Sequence, residues 1–209
     1  MKLANLVDLA KIAISNGVSI DDSRFDDLAL EEKIHSARAI VIANRITVGE
    51  RINPAWIQKV DITAVERDVE RGVVHFECPT AISVDGMSNG FVYVGGTDGI
   101  SPFISLGTGR TNLSVNSKLS KMREIFWKLE VGLQNNTTIA CYNNPKLEDI
   151  TIEMLANNPT EVPGYRKDVD EYPIDARGAN EIVEMLAVQI IGKMRMPPDY
   201  INDGTDKTK

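Results

Sequence analysis

Along the chain the apolar positions change period twice. Leu3, Leu6, Val7, Leu9, Ala10, Ile12 and Ala13 recur close to the helical period before Asn16-Gly17, which predicts a short helix over residues 3–15. Asp21-Asp22-Ser23 offers side-chain oxygens to the free amides of a second helix running to about Arg45, and Asp26 and Asp27 suit its positive end. In that helix Leu30, Ile34, Ala37 and Val41 form one apolar seam, while Ala39, Ile40, Ile42 and Ala43 add a second flank. A helix apolar on most sides must be covered on most sides. Two readings follow: a central core helix, or a helix packed between its own domain and a neighbouring copy. Arg38 falls inside the apolar run, where a buried guanidinium would need a carboxylate partner. Asn53-Pro54 opens one more short helix, with Trp56 and Ile57 on its buried side, ending near Lys59.

From Val60 the period becomes two: Val60, Ile62 and Ala64 alternate with polar neighbours, and Val74 and Phe76 alternate with His75 and Glu77. Ile82 and Val84 lead into the turn-rich 85–90 stretch, and Phe91-Val92-Tyr93-Val94 resumes a strand, so a hairpin is expected there. Further strands are expected at Phe103–Leu106, Ile125–Leu129, Thr138–Tyr142 and Ile150–Leu155, each bounded by Gly, Asn or Pro. Asn157-Asn158-Pro159, Pro163-Gly164 and the charged run 165–171 make an exposed connection. A strong helix follows over about 175–195, stopped by Pro197-Pro198.

The expected fold is therefore α+β: N-terminal helices and a long C-terminal helix around a small antiparallel β sandwich or barrel. The expected organisation is a single domain over 1–195 (helical 3–59, β-rich 60–155, C-terminal helix about 175–195) with an extended tail at 196–209. That tail has too little apolar content to fold unaided.

Composition narrows the function classes. With 43% hydrophobic and 25% charged residues among 209, the chain has the balance of a globular protein. Its 23 basic and 30 acidic residues give a formal charge of −7, which argues against gripping nucleic acid by neutralising phosphates. Cys78 and Cys141 stand too far apart for a zinc or redox motif, and a reducing compartment is the simplest reading. Asp8 and Lys11 interrupt the first apolar segment, so neither a signal peptide nor a membrane span is expected.

Catalytic chemistry is thin. Gly95-Gly96 and Gly107-Thr108-Gly109-Arg110-Thr111 lack the Gly-Lys-Ser/Thr ending of a phosphate loop and fit turns. His35 and His75 are the whole histidine inventory. Asp26-Asp27 and Glu31-Glu32 fit a solvated helix face, and no catalytic, metal or cofactor residues are assigned.

The order of several stretches is more informative than any one of them. Asp22-Ser23-Arg24-Phe25 is followed by Ala37-Arg38-Ala39-Ile40-Val41-Ile42, then by Asn53-Pro54-Ala55-Trp56-Ile57-Gln58-Lys59-Val60 leading into the β region. Glu171-Tyr172-Pro173-Ile174 precedes the last helix, and Met196-Pro197-Pro198-Asp199-Tyr200-Ile201-Asn202-Asp203 closes the chain. This succession resembles the ring (head-to-tail adaptor, or connector) proteins of crAss-like tailed bacteriophages, departing from them in the Gly/Asn-rich residues 85–116. The resemblance implies a virion structural protein, made in the host cytoplasm. It implies a homo-oligomeric ring, a dodecamer as in phage adaptors generally, docked between portal and tail proteins with DNA passing through unbound and no membrane contact. On that reading Ile34, Arg38, Val41 and Ile42 pack between copies, and Met196, Pro197, Pro198, Asp199 and Tyr200 contact the portal or a neighbour. Two rivals are a monomeric β-rich module binding a peptide or glycan through loops 85–90 and 95–111, and an enzyme built around Asp98, Asp85 or His75.

Overall fold

The computed structural model describes residues 1–15, 26–84, 90–106, 124–131 and 137–194, without the side chains of residues 131 and 191–194. Helix α1 spans Leu3–Ile14 and buries Leu3, Leu6, Val7, Ala10 and Ile14, the face its spacing predicts. Helix α2 spans Asp27–Thr47. The expected cap at Asp21-Asp22-Ser23 lies outside the described residues; the observed N-cap is Asp26, whose carboxylate accepts from the Leu28 amide at 3.2 Å. Asn53 caps a single 3-10 turn, Pro54–Trp56, accepting from the Ala55 amide at 3.0 Å. Helix α3 spans Ala176–Met194.

Among the described residues eight strands lie between: β1 Gln58–Thr63, β2 Glu66–Asp68, β3 Val73–Glu77, β4 Phe91–Gly95, β5 Ile104–Ser105, β6 Phe126–Val131, β7 Thr137–Tyr142 and β8 Asp149–Met154. They form a three-stranded sheet, β1-β8-β4, and a five-stranded sheet, β2-β3-β7-β6-β5. Neither closes into a barrel. Pairing is antiparallel throughout except between β5 and β6, which run parallel.

The two sheets bury one apolar cluster between them. Register puts Val60 opposite Ile152 and Ile62 opposite Ile150 in the small sheet, and Val74 opposite Cys141 and Phe76 opposite Ile139 in the large one, so each pair points to the same side. All eight side chains belong to that shared cluster, with Phe91 and Trp127 meeting edge to face at 5.8 Å.

A second cluster joins the helices to one end of the sheets. Leu6, Ile34, Ile42, Ile182 and Leu186 from the three helices pack with Trp56, Ile82, Val84, Leu155 and Tyr172. This placement overturns the expected hairpin. Ile82 and Val84 do not pair with β4; they fill space under the helices, and β4 pairs with β8 instead. The opposite edge of β4 is taken by Pro102 and Phe103, whose amide bonds the Val94 carbonyl at 2.8 Å.

Candidate functional site

The covering of α2 is intramolecular. Ile34, Arg38, Val41 and Ile42 are all buried within their own chain, Ile34, Arg38 and Ile42 completely. α2 is thus the central core helix of the two readings, and these four side chains present no surface to a second copy. The expected interface on them is corrected accordingly: α1, α3 and the connection before α3 already fill the space around them. Met196, Pro197, Pro198, Asp199 and Tyr200 lie outside the described residues.

Arg38 also departs from expectation in its partners. No carboxylate among the described residues meets it. Nε donates to the Pro173 carbonyl at 2.8 Å, Nη1 to Ala156 at 2.6 Å and Nη2 to Trp56 at 3.0 Å, and the Tyr172 ring lies 5.8 Å from the guanidinium carbon. Burial lowers the guanidinium to about 10, with Tyr172 and Tyr165 partly offsetting this, so it stays charged at neutral pH. One side chain on α2 therefore ties together the last residue of the 3-10 turn, the exit of β8 and the entry to α3. Beside it, His35 Nδ1 shares a 2.8 Å hydrogen bond with the Tyr172 hydroxyl. Burial and the Arg38 charge hold His35 down at about 4.

Two turns on, Arg45 makes a second tie. Its Nη1 donates to Asp175 at 3.1 Å and its Nε to Glu181 at 3.1 Å; Nη2 lies 3.0 Å from Glu181 Oε1, a close ion pair. Asp175 also accepts from the Trp56 indole at 2.8 Å. Burial pushes Asp175 up, but the hydrogen bonds from Trp56 and Arg45 outweigh it and leave the carboxyl below its ordinary value. Glu181 is likewise lowered, first by its hydrogen bond from Arg45. Next to this pair, Asn44, Glu184, Met185 and Val188 line a groove of about 520 Å³ between α2 and α3, with Val188 73% exposed.

Of the residues of the enzyme reading, the two that are described, Asp98 and His75, do not come together. Asp98 holds a tight turn after β4, accepting from the Ile100 and Ser101 amides and the Ser101 hydroxyl, and these bonds lower its carboxyl. His75 lies on a different sheet, on the face of β3 away from the core, with Nδ1 3.9 Å from Glu130. Asp85 lies outside the described residues. Among the described residues, no group of three His, Cys, Asp or Glu side chains is arranged to hold a metal. Cys78 and Cys141 are buried and unbonded to each other; burial raises both thiols to about 12, with Glu77 adding to the effect at Cys78. No described helix is long and apolar enough to cross a membrane.

Another concavity runs beside β1. It has a volume of about 560 Å³, and its described lining includes Asp61, Thr63, Glu77, Thr80, Thr137 and Glu161. Three carboxylates and no cationic side chain stand among its described lining residues. Sequence reasoning missed it because its walls come from four separated stretches. No protein-family model matches the chain, and no curated protein matches it either.

Proposed function

We propose that this chain is a virion structural protein, a protomer of an oligomeric adaptor ring between the portal and tail of a crAss-like tailed bacteriophage, forming part of the DNA conduit. The observation that carries the reading is the pairing of a rigid frame with two unlike exposed surfaces. The frame is α2 tied by Arg38 to three separate backbone segments. One surface is the helical layer, where Leu9, Ile12, Ile40, Val48 and Val188 are all more than 40% exposed. The other is the acidic cleft along β1. Two unlike patches on one protomer suit head-to-tail contacts, which close into rings, better than the self-complementary patch of a two-fold dimer. The order of motifs from Asp22-Ser23-Arg24 to Met196-Pro197-Pro198 supports the same reading, as does the formal charge of −7, which suits a wall that does not hold DNA.

A second reading, a monomeric peptide-binding module, is favoured by the β1 cleft alone. Mass separates the two. Electron microscopy and light scattering of the full chain, by itself and with portal protein, are expected to give closed rings or a ring-portal complex. A monomer at every concentration that also fails to join the portal would sink the adaptor reading. A direct test of the tail assignment is deletion of residues 196–209, expected to abolish ring or portal association while the monomer stays folded.

A further inference from the structure

The connection before α3 lies against the first half of α2 as a strap. It starts at Gly164, whose φ of +85° falls in the left-handed region, and ends at Pro173. Its middle folds on itself: the Val169 and Asp170 amides bond the Arg166 carbonyl, and the Asp170 carboxylate accepts from the Arg166 amide at 2.7 Å. No residue from Arg166 to Glu171 is buried. The ties that hold the strap down are mostly polar and come from α2 and the start of α1. Lys167 Nζ lies 3.5 Å from Glu31, Lys2 Nζ donates to the Asp168 carbonyl at 2.8 Å, and the Tyr172 amide donates to the Met1 carbonyl at 2.8 Å. Tyr172 is the deep anchor, 1% exposed, with its hydroxyl on His35 Nδ1. Near the other end the Tyr165 hydroxyl is buried with no hydrogen-bond partner among the described residues, so lifting that end hydrates a group that the closed strap leaves unmet.

His35 sits against this strap among groups that offer a proton no counter-charge. On its own helix Arg38 is one turn on, Glu32 is exposed, and Glu31, one turn back, pairs with Lys167. From the strap come Tyr172 and, acting on Arg38, Tyr165; Arg166 and Asp170 pair with each other. At the start of α1 the Met1 amine stands 3.6 Å from Glu171, and Lys2 is taken by a carbonyl. The imidazole itself bonds the neutral Tyr172 hydroxyl. A proton on the ring therefore adds a second positive charge beside Arg38 where water is excluded. With the strap lifted the ring is hydrated, and the same proton costs far less. In the closed chain His35 is held at about 4 against an ordinary 6.5, so as pH falls through that window the lifted state gains, by on the order of a hundredfold at most.

We propose that residues 164–173 are an acid-released strap: a proton on His35, placed beside Arg38, frees Tyr172 and lifts the strap off α2 while the two sheets and the three helices stay packed. Gly164 is the hinge, and the Tyr172 ring is the part that leaves its seat. The sheets stay because their ties are of another kind. The cluster between them is apolar, whereas the strap is held by charged and polar groups around one titratable ring. The device is a property of the single chain and does not depend on the oligomer proposed above.

Amide hydrogen exchange of the full chain between pH 7 and pH 4, corrected for the intrinsic rate at each pH, tests it. The Tyr172 amide, whose bond to Met1 breaks when the strap lifts, is expected to gain on the order of a hundredfold in opening across that range. The amides of Ile139 in β7 and Ile152 in β8 are expected to keep their protection. His35→Gln, which keeps a hydrogen-bonding side chain and cannot take the proton, is expected to abolish the pH dependence at Tyr172. Glu31→Gln is expected to raise opening a few-fold at pH 7 and leave that dependence in place, since it loosens a tie without touching the trigger. Opening of Tyr172 in step with Ile139 and Ile152 would overturn the proposal, because acid would then unfold the whole chain. So would a pH dependence that survives in His35→Gln. Should that variant fail to fold, the ring carbons of His35 in the wild-type chain give the second measurement. They are expected to titrate together with the opening at Tyr172, and a ring that titrates with no change there would overturn the proposal as well.

Discussion

The Arg38 Nη1 donates to the carbonyl of Ala156, 118 residues further along the chain, at 2.6 Å, and neither group is exposed to water. A carbonyl of this kind, at the exit of a buried strand, has no ladder partner of its own, and the guanidinium supplies one. Two more carbonyls, of Trp56 and Pro173, are met by the same fork. Its planar shape with five donors is what makes one side chain sufficient, and lysine cannot reproduce it.

Arg38→Met is therefore expected to leave three buried acceptors unmet, each costing about 1–3 kcal/mol singly and less than additively together. Urea unfolding should show a loss on the order of 3 kcal/mol or more. Arg38→Lys should recover only part of it.

His35 gives the chain an acid-sensitive element. Its folded value, about 4, lies below the ordinary 6.5, so the unfolded chain takes up the proton first as pH falls. Stability from this residue is fully present above about 6.5 and declines down to about 4, by roughly 3 kcal/mol in total. The check is unfolding free energy against pH for the wild type and His35→Gln: the variant should be flatter between those limits. An identical slope in both would remove His35 as the cause.

Asp175 joins three elements through the Trp56 indole and Arg45. Asp175→Ala should strand a fully buried indole N–H and cost about 1–3 kcal/mol. Asp175→Asn, which keeps an acceptor but no charge, should cost less. Thermal unfolding at matched pH measures both.

Gly90 has φ +78°, and a Cβ placed there would stand 2.4 Å from the Ile82 carbonyl oxygen. Gly90→Ala combines a left-handed backbone with a clash against main chain, so a loss of about 2 kcal/mol or more is expected from chemical denaturation.

Cys78 and Cys141 should not react with an aromatic disulfide reagent in the native protein. Both are buried and their thiols are raised to about 12, so labelling should track global unfolding across a denaturant series. Fast labelling of either in native buffer would contradict its burial.

Period was enough to place α1, α2, α3 and most of the strands, because whether Leu6 and Ala10, or Val60 and Ile62, share a face depends only on residues a few positions apart. It also bounded the chemistry, since two histidines and two distant cysteines allow few sites. What the sequence by itself left open was every partnership between distant stretches. Glu66-Arg67-Asp68 has no apolar signal and becomes a strand only because β3 lies beside it. Ile82 and Val84 read as half of a hairpin, yet the unfilled space beneath the helices took them, and β4 found β8. Arg38 looked like half of an ion pair, but carbonyls freed by the ends of β8 and of the 3-10 turn met it first. The β1 cleft exists only once residues near 61, 77, 137 and 161 converge. Tertiary structure decided these because burial and hydrogen-bond satisfaction act on whatever surfaces the packed elements leave, and no local spacing encodes them.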